Sequence, residues 1–439
     1  MQAITETQIK KFQAEFRKQK THQVIANAVQ TNGINQAAQN LAVQSQLEPT
    51  FSVEIKTGKV SNQKQSGRCW LFAALTLLRT QCAAEYGLKD FELSQNYLSF
   101  YDRLEKANWF YQRLVQTAHL PLTDRTVAQL LADPDGDGGQ WSYAVNLIKK
   151  YGVVPKSVMP ETYNSEHTQE FSTVLKAKLR KDAKDIRNLA KQNPAVSTLN
   201  DLITAKLAEV YRICVYAFGQ PPRHFDLELR NDQQQLIQER GLTPQEFAQK
   251  YCSFNLDDWV GILNAPQDNK ELGRTYCLEN TNMVGAKTAK DLNLPIQRLE
   301  QLAIQQLQAG QPVWFGNDVL EQLNRQKGLL ASGLYDYNSL FGIDLDLDKG
   351  LRLDYGQAAM SHAMVLTGVD LDKQGQPLKW KVENSWGDKI GTKGYFVMSV
   401  QWFRDYVYEV IIKKSYLSEQ EQQQFAQDPL VLPSWDAIN

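Results

Sequence analysis

NQKQSGRCWLF, residues 62–72, sets a glutamine, a Ser66-Gly67 turn and a single cysteine directly before an apolar run that continues through Ala73-Ala74-Leu75. A run apolar on nearly all sides predicts a fully buried helix from Cys69 to Arg79. The serine-glycine turn predicts that this helix starts near Cys69. The first turn of a helix carries backbone N–H groups with no intrahelical partner. With those groups and an imidazolium beside it, a thiol pKa falls into a range of roughly 3.5–7.5. The same N–H groups can hold an oxyanion, and Gln63, six residues upstream of Cys69, can add a side-chain donor. Standing alone, the pattern fits an inert core cysteine equally well.

A reactive thiol needs a base, and the chain has only five histidines: His22, His119, His167, His224 and His362. His362 stands at the start of an apolar strand pattern, Met360-Ser361-His362-Ala363-Met364-Val365-Leu366-Thr367-Gly368. Asn384 follows at a second strand end, within Val382-Glu383-Asn384-Ser385-Trp386-Gly387. An asparagine on an adjacent strand end can accept one ring N–H and fix the tautomer. That is the nucleophile–base–orienter arrangement of covalent catalysis. His362 by itself reads as a packed core histidine; with Gln63, Cys69 and Asn384 it reads as part of a set.

The whole chain sets limits. Its 439 residues, 42% apolar and 22% charged, imply a globular protein of two or three packed units or one fold with a large insertion. No apolar stretch reaches the length of a membrane span, and Met1 to Phe16 lacks the basic start and apolar core of a secretory signal. Forty-eight basic against forty-nine acidic residues argue against a general polyanion binder. Five irregularly spaced cysteines without a Cys-x-x-Cys pair argue against disulfide or zinc frameworks and point to the cytoplasm. Asp133-Pro134-Asp135-Gly136-Asp137-Gly138 starts like a calcium loop, but Ala144 stands where the bidentate glutamate is required. Asp344 to Asp348 fails in the same way, so neither a metal nor another cofactor is expected.

Along the chain, Ile9, Phe12 and Phe16 at helical spacing predict an N-terminal helix in an arm packed on the surface, residues 1–50. Phe51 to Ile55 alternates like a strand. Residues 51–164 carry Cys69, further helix through Ala107, and a loop, 133–139, before a helix ending near Gly152. Residues 165–310, rich in lysine, glutamine and leucine, are expected to be a helical insertion. There Leu175, Leu179, Ala183, Ile186 and Ala190 form an apolar face, and Lys176, Arg180, Lys181, Lys184 and Arg187 a solvated one. Residues 311–414 return to strands, at 312–316, 363–369, 380–383 and 395–399, and 415–439 form a tail.

Gln63, Gly67, Cys69-Trp70, His362-Ala363 and Asn384-Ser385-Trp386-Gly387 resemble the papain-like cysteine peptidases. The wording of Ser66 to Ala73, Gly138-Gly139-Gln140-Trp141, Lys150 to Lys156 and His362 to Gly368 is closer to the bleomycin hydrolase and aminopeptidase C branch. The resemblance spans essentially the whole chain and implies an α+β papain-like fold: a helical half with the nucleophile, a β-rich half with histidine and asparagine, a helical insertion, and a tail directed at the cleft. It implies Cys69 as nucleophile, His362 as general base and acid, Asn384 as orienter and Gln63 as oxyanion donor. It implies Trp386 as the shield of the His362–Asn384 bond, and Gly138 and Gly139 as backbone partners of an extended peptide. A homohexamer with internal active sites follows from the same resemblance.

In that branch the terminal carboxylate, here that of Asn439, blocks the far subsites and binds the substrate's amino group. Matched at Trp435, this tail is about three residues shorter, ~10 Å of extended chain. Internal cleavage of oligopeptides therefore competes with N-terminal trimming as the expected activity. Ser142-Tyr143 also departs from the branch, where an acidic residue and methionine are usual, and bears on substrate preference. Two other uses of the scaffold stand beside hydrolysis: acyl transfer by the same residues, and a ring that binds nucleic acid or protein.

Overall fold

The computed structural model describes residues 1–88, 90–252, 254–279, 281–286 and 290–438. Its centre is the Cys69–Tyr86 helix, in which every residue from Cys69 to Arg79 is buried. Gly87 ends it in the left-handed conformation, φ 65°, donating its N–H to Ala83 O, a conformation that costs glycine least. The helices Gln95–Gln116, Trp141–Tyr151, Thr168–Ala190 and Val196–Phe218 surround this one and share a hydrophobic core with it.

Fourteen strands are described: β1 (Val53–Glu54), β2 (Phe225–Arg230), β3 (Leu236–Leu242), β4 (Trp259–Leu263), β5 (Thr275–Leu278), β6 (Asp291–Asn293), β7 (Val313–Asn317), β8 (Leu323–Asn324), β9 (Leu329–Leu330), β10 (His362–Leu371), β11 (Pro377–Glu383), β12 (Tyr395–Ser399), β13 (Val407–Lys413) and β14 (Leu430–Leu432). All but the β2–β3 hairpin join one largely antiparallel sheet, in the order β14-β5-β6-β4-β13-β7-β10-β11-β12-β9-β8, with β1 on β10. A second core lies on this sheet, with the Ile296–Gln308 and Val400–Tyr406 helices. The fold is thus α+β. Trp314 Nε1 donates to Trp70 O at 3.2 Å, tying β7 to the start of the Cys69 helix.

Three features differ from the expectations. Residues 165–310 are helical only in part: β2 to β6 fall there, and β4, β5 and β6 extend the main sheet. These last strands are three to five residues long and almost wholly buried, so they show no period-two alternation. The N-terminal arm does form helices, Glu6–Lys18 and Lys20–Asn32, but neither buries a residue. Ile9, Phe12 and Phe16 are exposed, and the arm packs on the body through its later residues, Leu47 clustering with Leu329, Ala331 and Leu334. Arg187 leaves the solvated face of its helix; it is buried and donates to the Thr117 and Leu120 carbonyls at 3.0 and 2.7 Å. No helix among the described residues is long and apolar enough to cross a membrane.

Candidate active site

Gln63, Gly67, Cys69, Gly138, Gly139 and His362 line one cleft of about 570 Å³, between the helical half and the sheet. The chain reaches Cys69 through a turn that Asp137 holds. The Asp137 carboxylate accepts from Gly67 N at 2.6 Å and from the Thr168 hydroxyl at 2.6 Å. A β-carbon on Gly67 would stand 2.2 Å from Asp137 Oδ1, so a larger residue would have to displace the carboxylate that holds the turn. The Asp137 carbonyl accepts from Trp70 Nε1 at 2.9 Å. Buried Arg103 bonds Asp135 at 2.8 Å and approaches Asp137 at 3.6 Å. The loop that begins like a calcium site is thus the brace of the cysteine turn.

Gly138 and Gly139 follow directly. A β-carbon on Gly139 would lie 2.6 Å from the Trp70 ring, whereas one on Gly138 would meet nothing within 4 Å. Sterics therefore demand glycine at 139 alone. Lys106 reaches across this edge to the carbonyls of Gly136 and Gly138, at 2.9 and 2.7 Å, and to Asp102 at 2.7 Å.

Gln63 is fastened to the strand end that bears Asn384. Its N–H donates to Ser385 O at 2.8 Å, and the Ser385 hydroxyl donates to Gln63 Oε1 at 2.5 Å. The amide oxygen is thereby fixed, and Nε2 gives one hydrogen to Ser66 O. An amide nitrogen has two hydrogens, so one stays available on a residue that lines the cleft.

His362 opens β10, and Asn384 directly follows β11. Asn384 Oδ1 accepts from Ser385 N at 2.7 Å and meets His362 Nε2 at 2.9 Å. An oxygen that accepts from both fixes the imidazole hydrogen on Nε2. Nδ1 carries no hydrogen bond among the described residues. Cys69, His362 and Ala363 line the same cleft, and the Ala363 backbone N–H acts on the Cys69 thiol. Trp386 covers the ring at 5.1 Å between centroids, tilted 37°, and Arg325 lies 4.4 Å over the Trp386 face.

Burial pushes the Cys69 thiol up to about 11, although the N–H groups of Ala363 and Trp70 pull it down. Burial also pulls His362 down to about 4, against the Asn384 hydrogen bond, and the Arg325 charge adds to the lowering. Taken singly, each group is held neutral, the reverse of the lowering expected for the cysteine from its helix position. Desolvation outweighs the helix N-terminus because Cys69 and His362 are both buried.

Gln63, Cys69, His362, Asn384, Trp386, Gly138 and Gly139 thus fall in one place; Asn439 lies outside the described residues. Sequence reasoning missed Asp137, Arg103, Ser385 and Lys106 as supports. No local signal marks them, since Arg103 stands among the charged residues Asp102, Glu105 and Lys106 and the partners of the others lie on distant segments.

The profile of the Peptidase C1-like family matches residues 3–439. The chain belongs to the Peptidase C1-like family. This cysteine peptidase is 45% identical to Aminopeptidase G of Lactobacillus delbrueckii subsp. lactis, over 99% of both chains. It is 41% identical to Aminopeptidase C of Streptococcus thermophilus, over 97% of this chain and 96% of that one. The crystal structure of pepw from Lactobacillus rhamnosis hn001 superposes with a TM-score of 0.97 at 47% identity, covering 99% of this peptidase and 98% of that chain. The resemblance to the aminopeptidase C branch therefore holds over essentially the full length.

Proposed function

We propose that the peptidase hydrolyses short peptides with Cys69 as nucleophile, His362 as general base and then acid, Asn384 as orienter, and Gln63 with the Cys69 N–H as oxyanion donors. The observation that carries this reading is the one-sided hydrogen bonding of His362: Nε2 is held by Asn384, and Nδ1 is left unbonded on a residue that lines the same cleft as Cys69. Moving the thiol proton to Nδ1 creates two opposite charges side by side, which offsets the burial that disfavours either charge alone. The thiolate then attacks the carbonyl, its oxygen is received by the two donors, the ring proton passes to the leaving amine, and water releases the acyl group. Gly138 and Gly139 flank the path of an extended peptide.

His362→Ala tests the pairing. Without that acceptor, nothing offsets the burial that already pushes the Cys69 thiol upward. Alkylation by iodoacetamide at pH 7 should slow by at least about a hundredfold, with its pH midpoint shifted upward. An unchanged pH profile would remove His362 from the pair.

The tail supports cleavage of internal bonds. Of its described end, only Ser434 lines the main cleft. Asp436 is held by buried Lys270 at 3.0 Å, and Ile438 is buried in a separate cluster with Leu263, Ala358 and Tyr408. The names of the relatives favour removal of N-terminal residues instead. One peptide series, with free and with acetylated N-termini, separates the two when the products are weighed. Internal cuts in acetylated peptides support the oligopeptidase, and stepwise loss from free peptides alone supports the aminopeptidase. If neither form is cut while Cys69 still reacts with a thiol probe, acyl transfer takes their place.

A cytoplasmic hexamer belongs to the same reading. The exposed apolar stripe Ile9, Phe12 and Phe16 suits a subunit contact, and a native mass six times the 50.0 kDa chain would support it.

A further inference from the structure

Eight carboxylate side chains are buried among the described residues, and seven of them meet a cation or a hydrogen-bond donor. Asp102 has Lys106, Asp135 has Arg103, Asp182 has Lys178, Glu105 has Lys150, Glu300 has Arg404 and Glu383 has Arg79. Asp318 accepts from Ala359 N and the Ser361 hydroxyl. Glu409 is the exception. It is 5% exposed, and no hydrogen bond or ion pair to its carboxylate is found among the described residues.

Glu409 also faces a second acid. β4 lies between β6 and β13, and at its Gly261 an added β-carbon would stand 1.8 Å from Asp291 Oδ1 and 3.0 Å from Glu409 Oε1. The missing side chain leaves room for two carboxylates to converge. The Asp291 carboxylate likewise has no hydrogen-bond or ion-pair partner among the described residues. Two unneutralised carboxylates in one buried place are costly unless a cation joins them. Burial pushes both upward, Asp291 to about 7, and their mutual repulsion adds to the rise at Glu409.

The pair lines two cavities that share wall residues with the reaction-centre cleft. It lines a cavity of about 180 Å³ with Gln140, Trp141, Trp259 and Phe425, and a smaller one with Gln140, Met360 and Ile438. Gln140 and Met360 also line the cleft that holds Cys69 and His362. The cations at the larger cavity are engaged elsewhere: Lys149 pairs with Asp257 at 2.6 Å, and Lys290 donates to Gln427 O at 2.7 Å. Aromatic walls ending in two carboxylates suit a flexible apolar stem that carries a positive head.

We propose that Asp291 and Glu409 form a cation-binding subsite of the peptidase cleft, which takes an ammonium or guanidinium group of the peptide being cut. The inference rests on the peptide-hydrolase reading above and adds the substrate class: peptides with a positive charge at one fixed distance from the cleaved bond. The charge can come from a lysine or arginine side chain or from the α-ammonium group.

The test walks one lysine through a neutral ten-residue peptide, in acetylated and free forms, with norleucine as the uncharged control. Initial rates are read by mass for the parent, Asp291→Asn and Glu409→Gln. At one lysine position kcat/KM should exceed the norleucine control by roughly tenfold or more, the scale of a charge-assisted hydrogen bond. Both variants should lose that advantage while cutting the neutral peptide at the parent rate, which also reports that they fold. An advantage that follows the lysine assigns the side chain as the ligand; one that follows the free amine assigns the α-ammonium. Equal rates for lysine and norleucine at every position overturn the subsite while hydrolysis stands, as do variants that slow charged and neutral peptides alike. A parent that cuts no peptide overturns the hydrolase reading and the subsite with it.

Discussion

Cys69→Ala should abolish peptide cleavage, by at least about 10⁴-fold, while the unfolding midpoint stays within a degree or two of the parent. The residue opens its helix with no side-chain cap, and alanine is the best helix former, so the local backbone loses nothing. The substitution removes one sulfur, whose polar contacts are backbone N–H groups. The chemical loss is complete because neither Gln63 nor His362 can form the acyl intermediate. Rates on a quenched peptide, beside thermal unfolding of the same preparation, check both halves. Turnover comparable to the parent would dismiss Cys69 as nucleophile; a large drop in the midpoint would mean that the lost activity reports a damaged core.

Arg79→Ala should be the most destabilising single change near the site, costing about 3–5 kcal/mol. Arg79 and Glu383 are 2% and 3% exposed at their side chains and meet at 2.8 Å. Arg79 also donates to the Ser61 hydroxyl at 3.0 Å, and Thr57 donates to Glu383. Truncation strands a buried carboxylate, and that orphaned charge supplies most of the cost. Because Glu383 directly precedes Asn384, kcat should fall as well. Urea unfolding measures the first effect, and the double variant Arg79→Met with Glu383→Leu tests its cause. The double variant should recover most of the stability, since a buried ion pair replaced by apolar groups of similar volume is often neutral. A double variant as unstable as Arg79→Ala would show that packing, not charge, is lost.

These two residues show where sequence reading stops. Cys69 was legible because its neighbours within a few positions, Ser66-Gly67 before it and an apolar run after it, dictate a helix start and its burial. His362 and Asn384 were legible as strand ends for the same local reason. Arg79 and Glu383 are three hundred residues apart, and an arginine in an apolar helix announces a partner without naming it. Asp137 was read within a calcium-loop pattern because six consecutive residues carry that pattern. Its actual partners, Gly67 and Thr168, lie on other segments. The strands β4 to β6 were hidden in a lysine- and glutamine-rich stretch because short strands buried on both faces carry no alternation.

Local physics settles what a few neighbouring residues control: a buried helix beginning at Cys69, a strand opening at His362 and another ending just before Asn384, an amphipathic N-terminal helix, and a near-neutral charge balance. The tertiary structure alone decided what those elements meet. It placed the N-terminal apolar stripe in solvent, turned the acidic loop into a brace for the cysteine turn, and set Asp291 beside Glu409 across Gly261. It also reversed the expected direction of the Cys69 shift, because the charge state of a thiol depends on how deeply it is buried. Burial is a sum over neighbours brought from every part of the chain, and no local window of residues contains that sum.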